Sequence, residues 1–420
     1  MMAMPKPSAV RRNGAVWTVC ALGVFAALLL LAAPLQAEPY FTVREGYKCS
    51  KCHVNKTGGG MRTDYAKVYM STRNSIWPGL GAMMKGEDAP KADVASSRLS
   101  RYFSINADLR ADLVYTDREN EDPHYEFMRA STSQDSTAPC ATCHGDSNGG
   151  GKRAELFARA EVEPDFASVV LSESLSPTVA SREMYAILEA LPANGYVKAG
   201  VFRLPTGVNN TFDEPFYHVN QTPGATVPTV ETVRGSGLEL GVEPGPFSVA
   251  LSVTNPSDLT NTTKQKRVHL SAYGVTGLGI VGVTAYKDPI SDNQDEIEYR
   301  SLTGGYLGIN LGRATVMLEV DNLKEKLVTG QSLQRTGLAQ LDFLISKGQN
   351  LKVQYEMIDP DRETEKDIRD RSSLIYEPFL TPYLQTRVGY RYYNGPAQAD
   401  TTKPDANNGR QVFVELHLLY

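Results

Sequence analysis

The chain has 420 residues, with 43 Lys and Arg against 48 Asp and Glu, a formal net charge of −5. That length holds one large or two ordinary domains, and the acidic balance leaves no nucleic-acid footprint. A charged fraction of 22% excludes a helical membrane transporter, and 2 Trp, 21 Tyr and 13 Phe exclude a mostly disordered chain.

The first element reads as an export leader. Lys6, Arg11 and Arg12 precede an apolar run over 15–33, followed by Pro34 and the small-residue site Leu35-Gln36-Ala37. This is the charged, apolar and cleavage-site order of a secretory signal peptide. Cys20 falls inside it and leaves with it. Removal of 1–37 takes away three cations and no carboxylate, which moves the net charge from −5 to −8. No later run of apolar residues is long enough for a membrane helix, so a mature chain that enters a bilayer must do so as a barrel.

Residues 38–97 follow, and within them stands Cys49-Ser50-Lys51-Cys52-His53. The same spacing recurs as Cys140-Ala141-Thr142-Cys143-His144. Cys-x-x-Cys-His is the attachment pattern of c-type haem. Two thiols three apart add to the two vinyl groups, and the next His swings beneath the ring to bind iron. By composition alone one match is expected roughly once in a thousand chains of this make-up, and two far less often. A redox disulfide does not call for a following His, and a Cys₂His zinc site lacks its fourth ligand. The expectation is two covalent haems, held by Cys49, Cys52, Cys140 and Cys143 with His53 and His144 as proximal ligands.

From position 98 the pattern changes to period two. Leu99, Phe103, Ile105, Ala107, Leu109, Ala111, Leu113 and Tyr115 share one face, broken only by Arg101. Ser100, Tyr102, Ser104, Asn106, Asp108, Arg110 and Asp112 share the other. The second haem motif then lies in a loop over 116–152. Further strands are expected near 153–163, 166–175, 181–191, 195–204, 235–243, 246–254, 266–275 and 278–287. The series continues near 298–311, 313–322, 334–345, 349–358, 372–378, 383–393 and 410–420. Short turns alternate with long loops at 205–234, 255–265, 288–297, 323–333, 359–371 and 394–409. Short turns on one side and long loops on the other are the mark of a transmembrane barrel, here of about sixteen antiparallel strands. The even number puts both chain ends on the periplasmic side. Charged lumen positions are expected at Arg153, Glu155, Arg159, Glu161, Lys352, Glu356, Arg387 and Arg391. In the last strand Val412, Val414, Leu416, Leu418 and Tyr420 alternate with Gln411, Phe413, Glu415, His417 and Leu419.

A haem motif just ahead of a barrel of this size resembles the fused cytochrome–porins of bacterial outer membranes. The lead-in Tyr40-Phe41-Thr42-Val43-Arg44-Glu45-Gly46-Tyr47-Lys48 is similar to that family's aromatic-x-x-Arg-x-Gly approach to the first Cys. Segments such as Val388-Gly389-Tyr390-Arg391-Tyr392-Tyr393 and Arg203-Leu204-Pro205-Thr206-Gly207 are porin-like. The resemblance implies an outer-membrane electron carrier that works between periplasmic c-type cytochromes and an extracellular partner such as iron, as an iron oxidase or metal reductase. The second motif departs from the best-known members, which carry one haem.

Parity puts the 38–97 segment on the periplasmic side, able to plug the barrel, and the 116–152 loop outside. Each iron needs a sixth ligand or an open site, and the remaining histidines are His124, His218, His269 and His417. Met61, Met70, Met83, Met84 and Met128 are alternatives. A competing reading is a passive or substrate-selective porin in which haem is a structural or sensory element.

Overall fold

The computed structural model describes residues 38–69, 73–77, 98–100, 102–118, 123–127, 152–163, 166–174, 180–208, 234–256, 266–289, 297–327, 330–359, 362, 368–395, 398–400, 403–405 and 408–419. The expected leader over 1–37, the repeated motif at 140–144 and the terminal Tyr420 lie outside them.

Period-two segments become strands in chain order. They are β1 (Phe103–Arg118), β2 (Lys152–Glu163), β3 (Ala167–Ser174), β4 (Ala180–Leu191), β5 (Gly195–Arg203) and β6 (Arg234–Val242). Next come β7 (Phe247–Thr254), β8 (Arg267–Thr276), β9 (Gly279–Pro289), β10 (Ile297–Leu311) and β11 (Ala314–Leu327). The last are β12 (Gly330–Ser346), β13 (Gln349–Asp359), β14 (Arg369–Thr381), β15 (Leu384–Asn394) and β16 (Gly409–Leu419). Each pairs antiparallel with the next. β16 returns to β1, from Asp108 opposite Leu419 to Arg118 opposite Gly409, and closes the sheet. Two short strands, Arg98–Ser100 and His124–Phe127, add to β1.

The apolar faces point outward. On β7, Val249, Leu251 and Val253 are exposed while Ser248, Ala250, Ser252 and Thr254 are buried. The exposed pairs continue across strands, Leu251 beside Leu270 and Val253 beside Val268. So continuous an apolar exterior is far larger than a soluble monomer tolerates and is what lipid requires. The inner face is polar: Glu155, Lys352, Glu356 and Arg387, all expected in the lumen, are buried there. On β16, Gln411, Phe413 and His417 turn in and Val412 turns out.

Two expected boundaries move. The strand expected from 99 begins at Phe103, and Arg98–Ser100 folds back on it, Arg98 opposite Ser104 and Ser100 opposite Phe103. The reversal falls where Arg101 breaks the alternation. The loop expected over 323–333 is instead paired strand, from Leu323 opposite Gln334 to Leu327 opposite Gly330. Asp321, Leu323 and Glu325 stay buried on the inner face. The outward positions beyond Val320 become Asn322, Lys324 and Lys326, so the polarity of a strand that has left the bilayer reads as a loop. An apolar band about 25 Å tall accounts for that change partway along a strand rising about 3.4 Å per residue.

Residues 38–69 and 73–77 lie against the wall at the end with short connections. α1 (Pro39–Glu45) buries Tyr40, Phe41 and Val43 against Tyr273, Val275, Ile280, Tyr306, Met317 and Phe379 of the wall. Ile76 and Trp77 donate backbone hydrogen bonds to Phe379 and Leu380, each at 2.9 Å.

If the exterior faces lipid, Leu318→Arg should destabilise the folded barrel by about 2–4 kcal/mol, the cost of an arginine near mid-bilayer. Lys324→Ala, on the same face but past the apolar band, should leave stability unchanged. Denaturant titration in phospholipid vesicles reads both.

Candidate functional site

α1 begins with Pro39, whose fixed φ suits a first turn, and ends at Gly46 with φ of 67°. A Cβ at Gly46 would stand 2.9 Å from the Thr276 carbonyl group, so the cap also allows close approach to the wall. Val43 packs over Gly308, where a Cβ would come within 2.5 Å of it. Glu38, just ahead of the helix, meets Lys352 at 3.4 Å and also pairs with Arg387. Burial alone would raise the Glu38 carboxyl; Lys352 and then Arg387 outweigh it and hold the group well below the usual carboxylate range.

α2 (Cys49–Cys52) is one turn, anchored at both ends. The Cys49 backbone N–H donates to the Tyr273 hydroxyl at 3.3 Å, and the His53 N–H closes on the Cys49 carbonyl at 2.9 Å. The chain then turns through Gly58, Gly59 and Gly60, with φ of 98°, 73° and 65°. Val54 bonds to Met61 at 2.9 Å and closes this loop. Lys198 of β5 reaches in to donate to Asn55 Oδ1 at 2.8 Å while paired with Glu239 at 2.7 Å. α3 (Asp64–Tyr69) completes the segment, and Tyr69 packs edge-on to Phe41 at 5.9 Å.

Cys49, Cys52 and His53 line one cavity of about 1010 Å³ of non-atom space, open to solvent at part of its boundary. It is lined as well by Tyr273 and Tyr306 of the barrel and by Pro205, Gly207 and Val208 of the chain leaving β5. That stretch folds inward, its Val208 N–H donating to Glu319 at 2.9 Å. Burial pushes both thiols up to about 11, so they stay protonated at neutral pH. Burial, reinforced by Arg62, pushes the His53 imidazole down to about 3, so it is neutral. Neutral imidazole is the form that binds a metal.

These residues fit a covalently held haem on two counts. His53 Nδ1 is buried with no hydrogen-bond partner. At Gly58 a Cβ would crowd Cys49, at 3.3 Å from its Cβ and 3.4 Å from its Sγ, so the glycine keeps the approach to the thiol clear.

The other expected site residues are scattered. Cys140, Cys143, His144, His218, Met70, Met83, Met84 and Met128 lie outside the described residues. His124 opens the short strand beside β1, its backbone opposite Thr116 at the long-loop end. His417 is buried with Nε2 2.8 Å from Asp108, an engaged wall residue that does not line the cavity. His269 is buried and stacks on Tyr286 at 6.2 Å. It lies two residues outward of Ser271, which does line the cavity. Met61 turns into the wall beside Val54, Phe157 and Tyr185. Sequence reasoning missed Tyr273, Tyr306 and the Lys198–Glu239–Asn55 link. Their inward parity was readable, but their partners on the plug were not.

No family model matches the chain, and no curated protein does. Solved structures do. The anion-selective porin of Comamonas acidovorans superposes with a TM-score of 0.55 at 11% identity, covering 76% of this chain and 98% of that one. OmpF of Salmonella typhi, solved with daunomycin, gives 0.51 at 10% identity over 76% of this chain and 97% of its own. The outer membrane channel DcaP of Acinetobacter baumannii gives 0.51 at 9% identity, over 77% and 100%. The fold is therefore that of the porins: a closed sixteen-stranded antiparallel barrel with a polar lumen. At these identities the likeness is one of fold.

Glu38 is the test of how the plug is held. A carboxyl depressed in the docked state favours docking above its free pKa and loses that contribution only as pH falls through the depressed value. Docking should therefore survive mild acid. Glu38→Gln leaves Lys352 and Arg387 one carboxylate short and should weaken docking by about 3 kcal/mol, seen as roughly hundredfold faster amide exchange over 39–45.

Proposed function

We propose that this chain is an outer-membrane cytochrome–porin that carries electrons between periplasmic c-type carriers and an extracellular donor or acceptor such as iron. The observation that carries the reading is the convergence of Cys49, Cys52 and His53 on one lumenal cavity at the short-connection end. Cys49 and Cys52 would hold a haem by thioether bonds, and His53 would ligate its iron; when bound, that group supplies a one-electron redox centre. The protein's own part is to fix the attachment turn through Tyr273 and to exclude bulk water with Phe41, Tyr69, Tyr273 and Tyr306. A low-polarity surround of this kind is one lever on redox potential.

The repeated motif at Cys140, Cys143 and His144 would hold a second haem. Two centres suit the task, since the apolar band is about 25 Å tall and electron transfer falls steeply with distance. The apolar exterior and the likeness to porins support an outer-membrane location, and the 1–37 segment supports export through a cleaved leader.

A second reading is favoured by the comparisons themselves. They name an anion-selective porin and an outer membrane channel, so the barrel would pass solutes, with haem as a structural or sensory element.

Intact mass should exceed the mature polypeptide by two haem masses, falling to one in the Cys49→Ala/Cys52→Ala variant. In proteoliposomes, an electron conduit should reduce an enclosed acceptor from an external donor with little leakage of a trapped sugar. Leakage without electron transfer would leave the porin reading.

A further inference from the structure

The exterior of β9 to β12 changes chemistry near the end with long connections. Below that level Val283, Leu307, Val320 and Leu341 are exposed to lipid. At it, cations take the outward positions. Lys287 of β9 stands opposite Ser301 of β10, and Ser301 opposite Lys324 of β11, so the two lysines flank one hydroxyl-bearing residue in a single row. Two residues nearer the apolar band, Asn322 of β11 stands opposite Arg335 of β12, whose Nε donates to Asn322 Oδ1 at 3.2 Å. Lys287 lies over the Tyr299 ring at 4.5 Å, and Lys326, opposite Tyr299, continues the line outward. Lys324 lies about 34 Å along β11 from Ala314. A tilt of roughly 40° makes that about 26 Å of height, the edge of an apolar band about 25 Å tall. Lipid headgroups begin at that level.

Acids on the same face do not balance these charges. Outward positions alternate with inward ones, and over 281–287, 299–309, 314–326 and 331–345 none of the outward residues is a carboxylate. The inner acids at this height are taken up inside, Asp288 by Arg267 and Glu325 by Arg300, each at 2.5 Å. The first outward carboxylate by register is Asp359, opposite Arg335 at the margin of the patch. Elsewhere on the exterior the pattern differs: Arg410 of β16 has its own partner in Asp117 of β1, at 2.6 Å. Among the described residues, no carboxylate pairs with Lys287 or Lys324.

We infer that this patch is a docking site for a glycolipid of the outer leaflet that carries two phosphates, with Lys287, Lys324 and Arg335 as the phosphate contacts. Charge complementarity selects an anion, since ammonium and guanidinium groups bond phosphate oxygens directly. Continuity with the lipid-facing band selects a lipid. An occupant here rests its apolar part on Val283, Leu307 and Val320 and holds its anions at the rim, as a lipid does and a soluble anion does not. The spread of the cations selects two phosphates: Lys287 and Lys324 are two strands apart, about 10 Å at the backbone, and Arg335 stands on the next strand. The site is on the outside of the barrel, so it goes beyond the electron-carrier reading and does not depend on it.

The test is native mass spectrometry of the purified full chain in detergent, titrated with bisphosphoryl lipid A and in parallel with phosphatidylglycerol. Retention of bisphosphoryl lipid A is expected at a concentration about tenfold below that needed for phosphatidylglycerol. Lys287→Gln/Lys324→Gln should raise the concentration required for lipid A at least about tenfold, two headgroup-level cations being lost. Arg410→Gln removes a cation from the same end of the barrel, one that is already paired, and should leave retention unchanged. Cys49→Ala/Cys52→Ala should bind as the parent does, which separates this site from the haem proposal. Heat-modifiable gel migration shows whether the variants fold. If the double lysine variant does not, Lys324→Ala alone should still weaken retention about threefold or more. Equal retention of the two lipids by the folded parent, or equal effects of the lysine and Arg410 substitutions, would overturn the inference. So would an oligomer of the chain that the lysine variant dissociates with no loss of lipid, since the patch would then be an interface between copies.

Discussion

A sheet immersed in hydrocarbon cannot have an edge, because each unpaired backbone group there costs several kcal/mol. β1 shows how that constraint is met. On one side it runs beside β16 from Asp108 to Arg118. On the other, β2 covers it only from Phe103 to Ala111, and the short strand His124–Phe127 takes over from Leu113 to Thr116. The start of the first long connection thus patches the stretch of β1 that β2 leaves uncovered. Closure in turn fixes which residues face lipid, since the period of two allows each strand only one choice of face.

With the apolar positions spent outward, the lumen inherits the charges, and charges taken from water need partners. The wall supplies many of its own, such as Arg267 with Asp288 at 2.5 Å. Some wall groups take a further partner from the N-terminal segment: Glu38 for Lys352 and Arg387, Asn55 for Lys198, and the Arg44 carbonyl for Asn310 at 2.9 Å. Plug and wall are two halves of one polar interior.

Much of this was legible in the sequence. Alternation along 246–254 or 410–420 needs only local reading, and it gave strand, face and order. The motif at 49–53 was legible because its chemistry is fixed by spacing. What failed did so for physical reasons. Polarity over 322–326 imitates a loop because a strand that rises beyond the bilayer no longer meets lipid. The cavity was hidden because Tyr273 and Tyr306 are hundreds of residues from Cys49, and only closure of the sheet brings them there. The contact of His417 with Asp108 on the neighbouring strand was hidden too, since it depends on register across the seam.

The plug touches the barrel over most of its circumference, at Asn106, Glu189, Lys198, Glu243, Thr276, Asn310, Asn350, Phe379 and Arg387. It also precedes β1 in the chain. A body gripped by so many staves cannot be threaded in after the last stave meets the first. Its folding therefore belongs before or during the joining of β16 to β1. Any group that Cys49 and Cys52 were to carry would then have to be attached while the segment is still outside the closed barrel.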